Sequence, residues 1–270
     1  MKQAILVVAF GSTVDSAREH QIDAVVNRIK EKYTDYEVRL AFSSRIIVKR
    51  LRDRGIEIPT EQGALDALIG EGYTDIYVQP LHFTGGEEFD KLKHNILNHE
   101  RAQELNTLRV GRPLLYYMGQ EEHPNDYQIL IDTFVTSLSV SNEDGLLLVG
   151  HGGLGSGNSA YGYLQYQLIR SGLNHVRVAT LENAPYVDDV AVPWEWLDGK
   201  KPNKIYVHPL LLVLGDHALN DLFGDEEDSV VNVLKEAGYE VEEMHHALGE
   251  YTEIQDIYCQ HIQDCIDDIY

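Results

Sequence analysis

The sequence predicts an α/β protein made of two similar halves, each with a mostly parallel sheet between layers of helices. Short runs rich in Val, Ile and Leu alternate with longer amphipathic segments, which is typical of β-α units. An internal repeat divides the chain, because IYVQPL at 76–81 recurs as IYVHPL at 205–210, each followed at the same distance by a glycine. At 270 residues and 43% hydrophobic content, the chain is long enough to form two cores.

Hydrophobic periodicity places the elements of each half in order. In the first half it predicts strands over 3–10, 37–42 and 75–81, a further candidate strand over 110–117, and helices over 15–33, 44–54, 60–71 and 87–105. In the second half it predicts strands over 145–150, 176–181, 204–213 and 239–244, and helices over 125–139, 158–172, 187–198, 217–237 and from 250. The polar segment 119–125 separates the halves. The predicted domains are therefore 1–122 and 123–249, with the C-terminal helix 250–270 packing back on the first half.

Composition excludes several classes of partner. The chain has 22 Lys and Arg against 44 Asp and Glu, and its net charge of -22 argues against binding to nucleic acid or to an anionic membrane. It has no apolar stretch of the ~20 residues that a membrane helix needs, and its first residues lack the features of a signal peptide. We therefore expect a cytoplasmic protein. Cys259 and Cys265 predict two ordinary thiols rather than a disulfide framework or a zinc ribbon.

Chemistry-bearing residues gather at the predicted strand ends. Ligands of open parallel sheets bind beyond the carboxyl ends of the strands. Six residues follow such ends: Phe10, His82 and Glu88 in the first half, and His151, Glu182 and His217 in the second. When the repeats are aligned, His151 stands opposite Phe10, and His217 stands opposite Glu88. The second half thus has imidazoles where the first has an aromatic ring and a carboxylate.

Three interpretations compete at the second half. Two imidazoles and a carboxylate suit divalent cobalt, iron or nickel, and three ligands would leave coordination positions open. Single histidines more often have no such role, and Asp216 beside His217 is a candidate helix cap. Residues 150–155 also satisfy the G-x-G-x-x-G pattern of dinucleotide-binding proteins, although Glu182 follows Gly155 by 27 residues, longer than the usual interval to a ribose-binding acid.

A basic run stands out in this acidic chain. It consists of Arg45, Lys49, Arg50, Arg52 and Arg54. Its spacing is typical of the solvent face of an amphipathic helix. The same residues could also receive a ligand rich in carboxylates.

Several of these segments together resemble one enzyme family over almost the whole length. They are VVAFGS at 7–12, AFSS at 41–44 leading into IIVKRLR at 46–52, VQPLH at 78–82, GGEE at 85–88, NDY at 125–127, VGHG at 149–152, LEN at 181–183 and LGDHALND at 214–221. The chain is similar to the class II tetrapyrrole chelatases, most closely to the anaerobic sirohydrochlorin cobaltochelatases of cobalamin biosynthesis. It departs from them in the order Ser12-Thr13 and in Ala184 after Asn183.

The resemblance implies the class II chelatase fold, with two flavodoxin-like, three-layer halves related by a pseudo-two-fold axis. It implies insertion of Co²⁺ into sirohydrochlorin or precorrin-2, with neither ATP nor an organic cofactor, and leaves open Fe²⁺, Ni²⁺ and the oligomeric state. By resemblance the metal ligands are His151, Glu182 and His217, and His151 also accepts a proton. Both histidines are therefore expected to be catalytic as well as metal-binding. The substrate-binding residues that it implies are Phe10, Ser12, His82, Glu87 and Gly152.

The asymmetry between the halves suggests a further division of labour. We hypothesise that the metal approaches from the histidine side, while Phe10 faces the macrocycle and Glu88 assists proton removal. A tetrapyrrole or metal carrier without turnover and a dinucleotide-binding oxidoreductase remain as alternatives.

Overall fold

The computed structural model describes residues 2–191, 194 and 199–269. The chain forms two compact units, Met1–Asp126 together with Gly249–Tyr270, and Tyr127–Leu248. Each unit holds a four-stranded parallel sheet with helices, so the predicted α/β class with two similar halves is confirmed. In the part of the chain described, no helix is both long enough and apolar enough to span a bilayer.

The first unit has the strand order β2-β1-β3-β4. Its strands are β1 (Gln3–Ala9), β2 (Glu37–Phe42), β3 (Asp75–Pro80) and β4 (Thr107–Val110). Its helices are α1 (Asp15–Ala17), α2 (Asp23–Lys32), α3 (Arg45–Asp53), α4 (Glu61–Gly70), α5 (Glu87–Leu97) and, after the second unit, α11 (Thr252–Asp267). A π-helical segment, Arg18–Ile22, joins α1 to α2.

The second unit repeats this plan with the order β6-β5-β7-β8. Its strands are β5 (Gly145–Gly150), β6 (Val176–Thr180), β7 (Lys204–Pro209) and β8 (Glu240–Glu243). The helices are α6 (Asp126–Leu130), which starts at the boundary residue, α7 (Ser159–Arg170), α8 (Val187–Val190), α9 (Asp216–Phe223) and α10 (Val230–Glu236). Chain order and sheet order therefore match between the units, strand for strand.

Burial on both faces explains the apolar runs of the central strands. All six residues of β3 and all six of β5 are buried, as are six of the seven in β1. A parallel strand covered by helices on both sides needs side chains that tolerate burial on both faces. Leu6 and Val8 accordingly share a core cluster with Leu65 and Val78.

The repeated motif of β3 and β7 keeps one structural device. Gln79 donates from Nε2 to the carbonyl oxygens of Pro80 and Arg112, both at 2.9 Å. At the equivalent position, His208 Nδ1 lies 2.8 Å from the carbonyl oxygen of Pro209. His208 is fully buried, and its ring packs edge-on against another aromatic ring 5.4 Å away. His208 is thus a core residue whose ring nitrogen contacts the carbonyl of the last residue of β7.

The C-terminal helix α11 belongs to the first unit and packs on α2, β3 and β4. The buried Tyr258 hydroxyl donates to the carbonyl oxygens of Leu81 and His82, both at 3.3 Å. Cys259 and Cys265 are buried on the same helix as free thiols, and burial raises both pKa values. The helix therefore supports the loop that follows β3.

Two predicted elements differ in extent because of glycine and proline. The segment 217–237 forms two helices, since Gly224 leaves the helical region and Ser229 caps α10 by accepting from the backbone NH of Asn232 at 3.4 Å. The candidate strand 110–117 is wrong beyond Val110, because Pro113 has no NH to donate.

Two predicted helices have other bounds. The helix expected over 87–105 ends at Leu97, and a 3₁₀ turn, Ala102–Glu104, precedes β4. The helix expected over 187–198 forms over Val187–Val190; residues 192, 193 and 195–198 of that prediction lie outside the described residues.

Candidate metal-chelation site

His151 and Glu182 lie together at the carboxyl edge of the second sheet. Two backbone hydrogen bonds extend the β5–β6 pairing beyond the strands, from Leu181 N to Gly150 O and from Glu182 N to His151 O, each 3.0 Å. His151 Nδ1 lies 3.5 Å from Glu182 Oε2, and both side chains are more than half exposed. The sequence predicted that both residues follow strand ends, and the structure brings this pair together in the open.

The glycines on either side of His151 are required by packing. A Cβ atom at Gly150 would lie 2.2 Å from the ring of Tyr161, whose pKa burial raises to about 12. Gly152 has φ +84°, and a Cβ there would lie 3.1 Å from Thr180 Oγ1. The Gly-His-Gly segment therefore lets the chain turn closely over β6 while the imidazole points outward. The predicted contact of Gly152 with substrate stays a prediction.

Asn158 is a residue whose role sequence reasoning missed. Its Oδ1 accepts from Gly153 N at 3.0 Å, and its Nδ2 donates to Ala184 O at 2.5 Å. This side chain joins the loop after β5 to the loop after β6, and so it holds the two loops that carry His151 and Glu182. The only available signal was an amide side chain at the end of a glycine-rich loop, a residue type that bonds readily to the backbone.

The glycine-rich segment is better explained by this packing than by dinucleotide binding. The NH of Gly153, which a phosphate would need, is already bonded to Asn158. A 3₁₀ turn, Gly155–Asn158, stands between the loop and α7. Two of the pattern's glycines, Gly150 and Gly152, are accounted for by close contacts within the unit.

His217 is the second residue of α9 and is exposed. Gly215 occupies the N-cap position of α9 without a side-chain cap, so Asp216 is not the cap suggested as an alternative. Among the residues that the structure describes, no three or more His, Cys, Asp or Glu side chains are grouped to hold a metal ion. The full set of His151, Glu182 and His217 therefore stays a prediction.

In the first unit, Phe10 and Ser12 differ sharply in exposure. Phe10 follows β1 and is 52% exposed, which is unusual for a phenylalanine. Ser12 is buried, and its hydroxyl accepts from Val14 N at 3.1 Å, just before α1. Phe10 is therefore available to a flat apolar ligand, whereas the Ser12 hydroxyl is engaged in the local turn. Neither predicted substrate contact is tested by these positions.

His82 follows β3, and its ring is enclosed. In the described structure, both ring nitrogens are buried and make no hydrogen bond. Burial lowers the pKa of His82 to about 4, so the ring is neutral at pH 7. Phe89 packs near it, with ring centroids 6.5 Å apart. A buried imidazole without partners costs free energy, so His82 is the least explained polar group of this loop.

Glu87 and Glu88 are the first two residues of α5, and both are exposed. Gly86 holds the N-cap position, as Gly215 does for α9. Glu88 and His217, which the sequence repeat aligns, are thus each the second residue of their helix. Two carboxylates in a first turn are favoured by the helix dipole.

Chemically, the open pair suits a group that handles an ion and a proton. Nδ1 of His151 faces two acceptors, Glu182 Oε2 and the carbonyl oxygen of Gly152 at 3.3 Å. This geometry favours the tautomer with the proton on Nδ1, which leaves the lone pair of Nε2 facing outward. Such a nitrogen can bind a divalent metal or accept a proton.

Comparison with known proteins gives the family context. The family model described as cobalt chelatase (CbiK) matches residues 3–267. A sirohydrochlorin cobaltochelatase of Salmonella typhimurium is 30% identical over 269 residues, covering 98% of this chain and 97% of the relative. The sirohydrochlorin cobaltochelatase CbiKC of Nitratidesulfovibrio vulgaris is 27% identical over 263 residues, covering 97% of this chain and 89% of that relative.

Two solved structures share the fold. SirB from Bacillus subtilis with Fe³⁺ superposes with a TM-score of 0.66 at 17% identity, covering 98% of this chain and 96% of SirB. CbiX, the terminal enzyme for biosynthesis of siroheme in denitrifying bacteria, gives a TM-score of 0.53 at 17% identity. The match covers 96% of this chain and 98% of CbiX. The predicted class II chelatase fold is confirmed. With a family match over nearly the whole chain, this protein belongs to the cobalt chelatase (CbiK) family, a family of metal chelatases.

Proposed function

We propose that this protein inserts Co²⁺ into sirohydrochlorin, or into its precorrin-2 form, without ATP. The observation that carries the proposal is the exposed His151–Glu182 pair at the carboxyl edge of the second sheet. Membership of the cobalt chelatase family and the names of both curated relatives support the metal and the ring. The absence of an organic cofactor and the cytoplasmic location stay predictions.

Metal insertion requires the ring to lose two pyrrolic protons while the ion gains four ring nitrogens. A neutral imidazole can hold the ion weakly and then accept one of the two protons as the ion leaves, while the second passes to Glu88 or to solvent. Glu182 faces Nδ1 of His151, so in this arrangement it orients the ring and stabilises the imidazolium that forms. We assign His217 as a further metal ligand, through rearrangement of the first turn of α9.

Exposed apolar side chains follow both members of the pair along the chain, and such side chains suit a flat macrocycle. Leu154, three residues after His151, is 72% exposed, and Tyr186, four residues after Glu182, is 48% exposed. Large exposed apolar side chains in the loops that carry polar ligand groups are typical of a ligand-binding surface. On the first unit, the aromatic ring of Phe10 is exposed to about the same extent as that of Tyr186.

Visible absorption spectroscopy of the purified protein with sirohydrochlorin and Co²⁺ tests the proposal, because insertion changes the ring spectrum. Turnover beyond one equivalent supports an enzyme. Saturable binding without turnover would identify a carrier and contradict the proposal. Parallel reactions with Fe²⁺ and Ni²⁺ test the choice of metal, since this ligand set accepts Co²⁺, Fe²⁺ and Ni²⁺. Faster insertion of Fe²⁺ or Ni²⁺ than of Co²⁺ would overturn the choice of cobalt.

A further inference from the structure

The segment 43–59 is an excursion at the carboxyl edge of the first sheet. It leaves β2 at Ser43, whose NH donates to Ala9 O at 2.9 Å. It returns to the same place, because Phe42 N donates to Pro59 O at 3.0 Å. The chain crosses the sheet only afterwards, through α4. The helix α3 therefore belongs to the edge at which open parallel sheets bind ligands.

Both ends of α3 contact the loop that presents Phe10. At its start, Ser44 N donates to Phe10 O at 3.2 Å. At its end, the Arg54 guanidinium donates to Thr13 O at 2.5 Å and pairs with Asp15 at 2.8 Å. The helix thus lies alongside this loop rather than pointing away from it.

The basic residues of α3 and its flanks fall into two groups. Three are engaged with neighbouring side chains: Arg45 with Gln62 at 2.9 Å, Arg52 with Glu57 at 3.7 Å, and Arg54 with Asp15. The other two, Lys49 and Arg50, are exposed and make no hydrogen bond or ion pair within the described structure. Two adjacent cations of this acidic chain therefore have no carboxylate paired with them, although Asp53 lies one turn later on the same helix.

These two cations are directed toward the first turn of the helix. Helical side chains tilt toward the N-terminus, so Lys49 and Arg50 extend over Ile46, which lies one turn earlier. Ile46 is 67% exposed, although large apolar residues of a helix are ordinarily buried. The first turn of α3 thus combines an exposed apolar side chain with two unpaired cations, a few residues from the carbonyl of Phe10.

We propose that Lys49 and Arg50, together with Ile46, bind the carboxylate rim of the tetrapyrrole substrate. This inference rests on the proposed function and names the residues that recognise the ring's charge. Sirohydrochlorin is a flat ring edged with eight carboxylates, and a chain of net charge -22 repels it at long range. Two cations left unpaired at the ligand edge lower that repulsion locally. An anionic membrane would be repelled by the same net charge without offering a flat ring for Ile46.

The test uses binding rather than turnover, so that it is independent of metal insertion. The variant carries Lys49→Gln and Arg50→Gln. The matched control carries Lys30→Gln and Lys32→Gln, which removes two exposed cations from the last turn of α2, next to the amino end of β2. Dissociation constants are measured by fluorescence quenching with uroporphyrin, which has eight carboxylates, and with mesoporphyrin, which has two.

We expect the Lys49/Arg50 variant to bind uroporphyrin about tenfold more weakly at low salt, and the difference to shrink near ~1 M salt because screening shortens the reach of charges. Mesoporphyrin affinity should change less than twofold, and the control should match the unmodified protein. Equal weakening by variant and control would indicate only a general charge effect and overturn the proposal. Unchanged uroporphyrin binding in a protein that still inserts Co²⁺ would reject this surface while leaving the proposed function intact. Loss of binding to anionic lipid vesicles without loss of uroporphyrin binding would assign the surface to a membrane.

Discussion

The loops after β1 and β5 share one backbone design and differ in what they expose. In the first unit, Ser44 N bonds to the carbonyl of Phe10, and in the second, Glu182 N bonds to the carbonyl of His151. In both loops the next residue is a glycine with positive φ, +107° at Gly11 and +84° at Gly152. The two units therefore share the backbone arrangement. Phe10 and Ser44 of the first unit occupy the positions of His151 and Glu182 in the second.

The two halves keep a structural task inside the core and differ in chemistry where the strand ends are exposed. Gln79 and His208 differ in type, yet each places a side-chain nitrogen on the following proline's carbonyl. Their substitution preserves a structural task inside the core. The substitution of Phe10 by His151 lies in the open and changes the available chemistry. Exposure at a strand end, rather than residue type, separates the structural histidine from the functional candidate.

The largest effect on metal insertion should come from removing the imidazole of His151. His151→Ala is expected to slow Co²⁺ insertion by about 1,000-fold, because the ring nitrogen that accepts the proton is lost. Folding should be nearly unchanged, since the side chain is 57% exposed. Phe10→Ala, the counterpart in the first unit, should weaken ring binding yet retain turnover. Steady-state spectroscopy with thermal unfolding checks both, and comparable turnover in the two variants would abolish the distinction between the loops.

A second pair of variants tests whether the glycines serve packing. Gly150→Ala should lower the free energy of unfolding by about 3 kcal/mol, because its Cβ would lie 2.2 Å from the Tyr161 ring. Gly153→Ala is the control, since nothing lies within 4 Å of the added Cβ. Urea denaturation measures both. Equal stability of the two variants would contradict the packing explanation.

Glu182→Gln tests whether the carboxylate of Glu182 belongs to the site. The amide keeps the size of the side chain but loses the charge that stabilises the imidazolium of His151. We expect Co²⁺ affinity or insertion to fall 10- to 100-fold, and Ser44→Ala, at the equivalent position of the first unit, to leave both nearly unchanged. Isothermal titration with Co²⁺ and initial rates check this. A Glu182→Gln variant with full affinity and rate would remove Glu182 from the site.

The sequence predicted the scaffold better than the side-chain arrangement. Alternating apolar runs and the repeated strand motif sufficed for two parallel sheets, because central strands buried on both faces have little freedom in composition. The pairing of His151 with Glu182 was also accessible, since both follow neighbouring strands. The role of Asn158 was not, because it depends on which backbone groups the loops bring within reach. The sequence offered the whole basic run as a binder of carboxylates, and only the structure distinguishes Lys49 and Arg50 from the members that have partners.

His82 has no counterpart in the second unit, where Leu211 follows the strand. Its pKa is lowered to about 4 by burial, below the value of ~6.5 of the unfolded chain, so the unfolded state binds more protons in that interval. Stability should therefore fall as the pH drops from 6.5 toward 4, by at most about 1.4 kcal/mol per unit from this group. His82→Leu should reduce that slope, with His94→Gln as the control for loss of an exposed imidazole.

Urea denaturation at pH 7.5, 6.0 and 5.0 measures the slopes. The buried His261 has a pKa lowered in the same direction, so part of the slope should persist in the His82→Leu variant. If His82→Leu and His94→Gln give the same slope as the unmodified protein, the ring of His82 is hydrated or bonded in solution and does not titrate as described.

The smallest effect concerns Glu88, which occupies the second position of α5 as His217 occupies the second position of α9. If Glu88 assists proton removal from the ring, Glu88→Gln should slow insertion about tenfold, less than usual for a general base because the side chain is exposed. Co²⁺ affinity should be unchanged, since the metal is expected on the histidine side. Glu87→Gln, one residue earlier in the same exposed turn, controls for loss of charge at the helix N-terminus. Equal rates for the two variants would reduce Glu88 to a solvated carboxylate, whereas weaker Co²⁺ binding by Glu88→Gln alone would move the metal toward the first unit and reverse the assignment of the two copies.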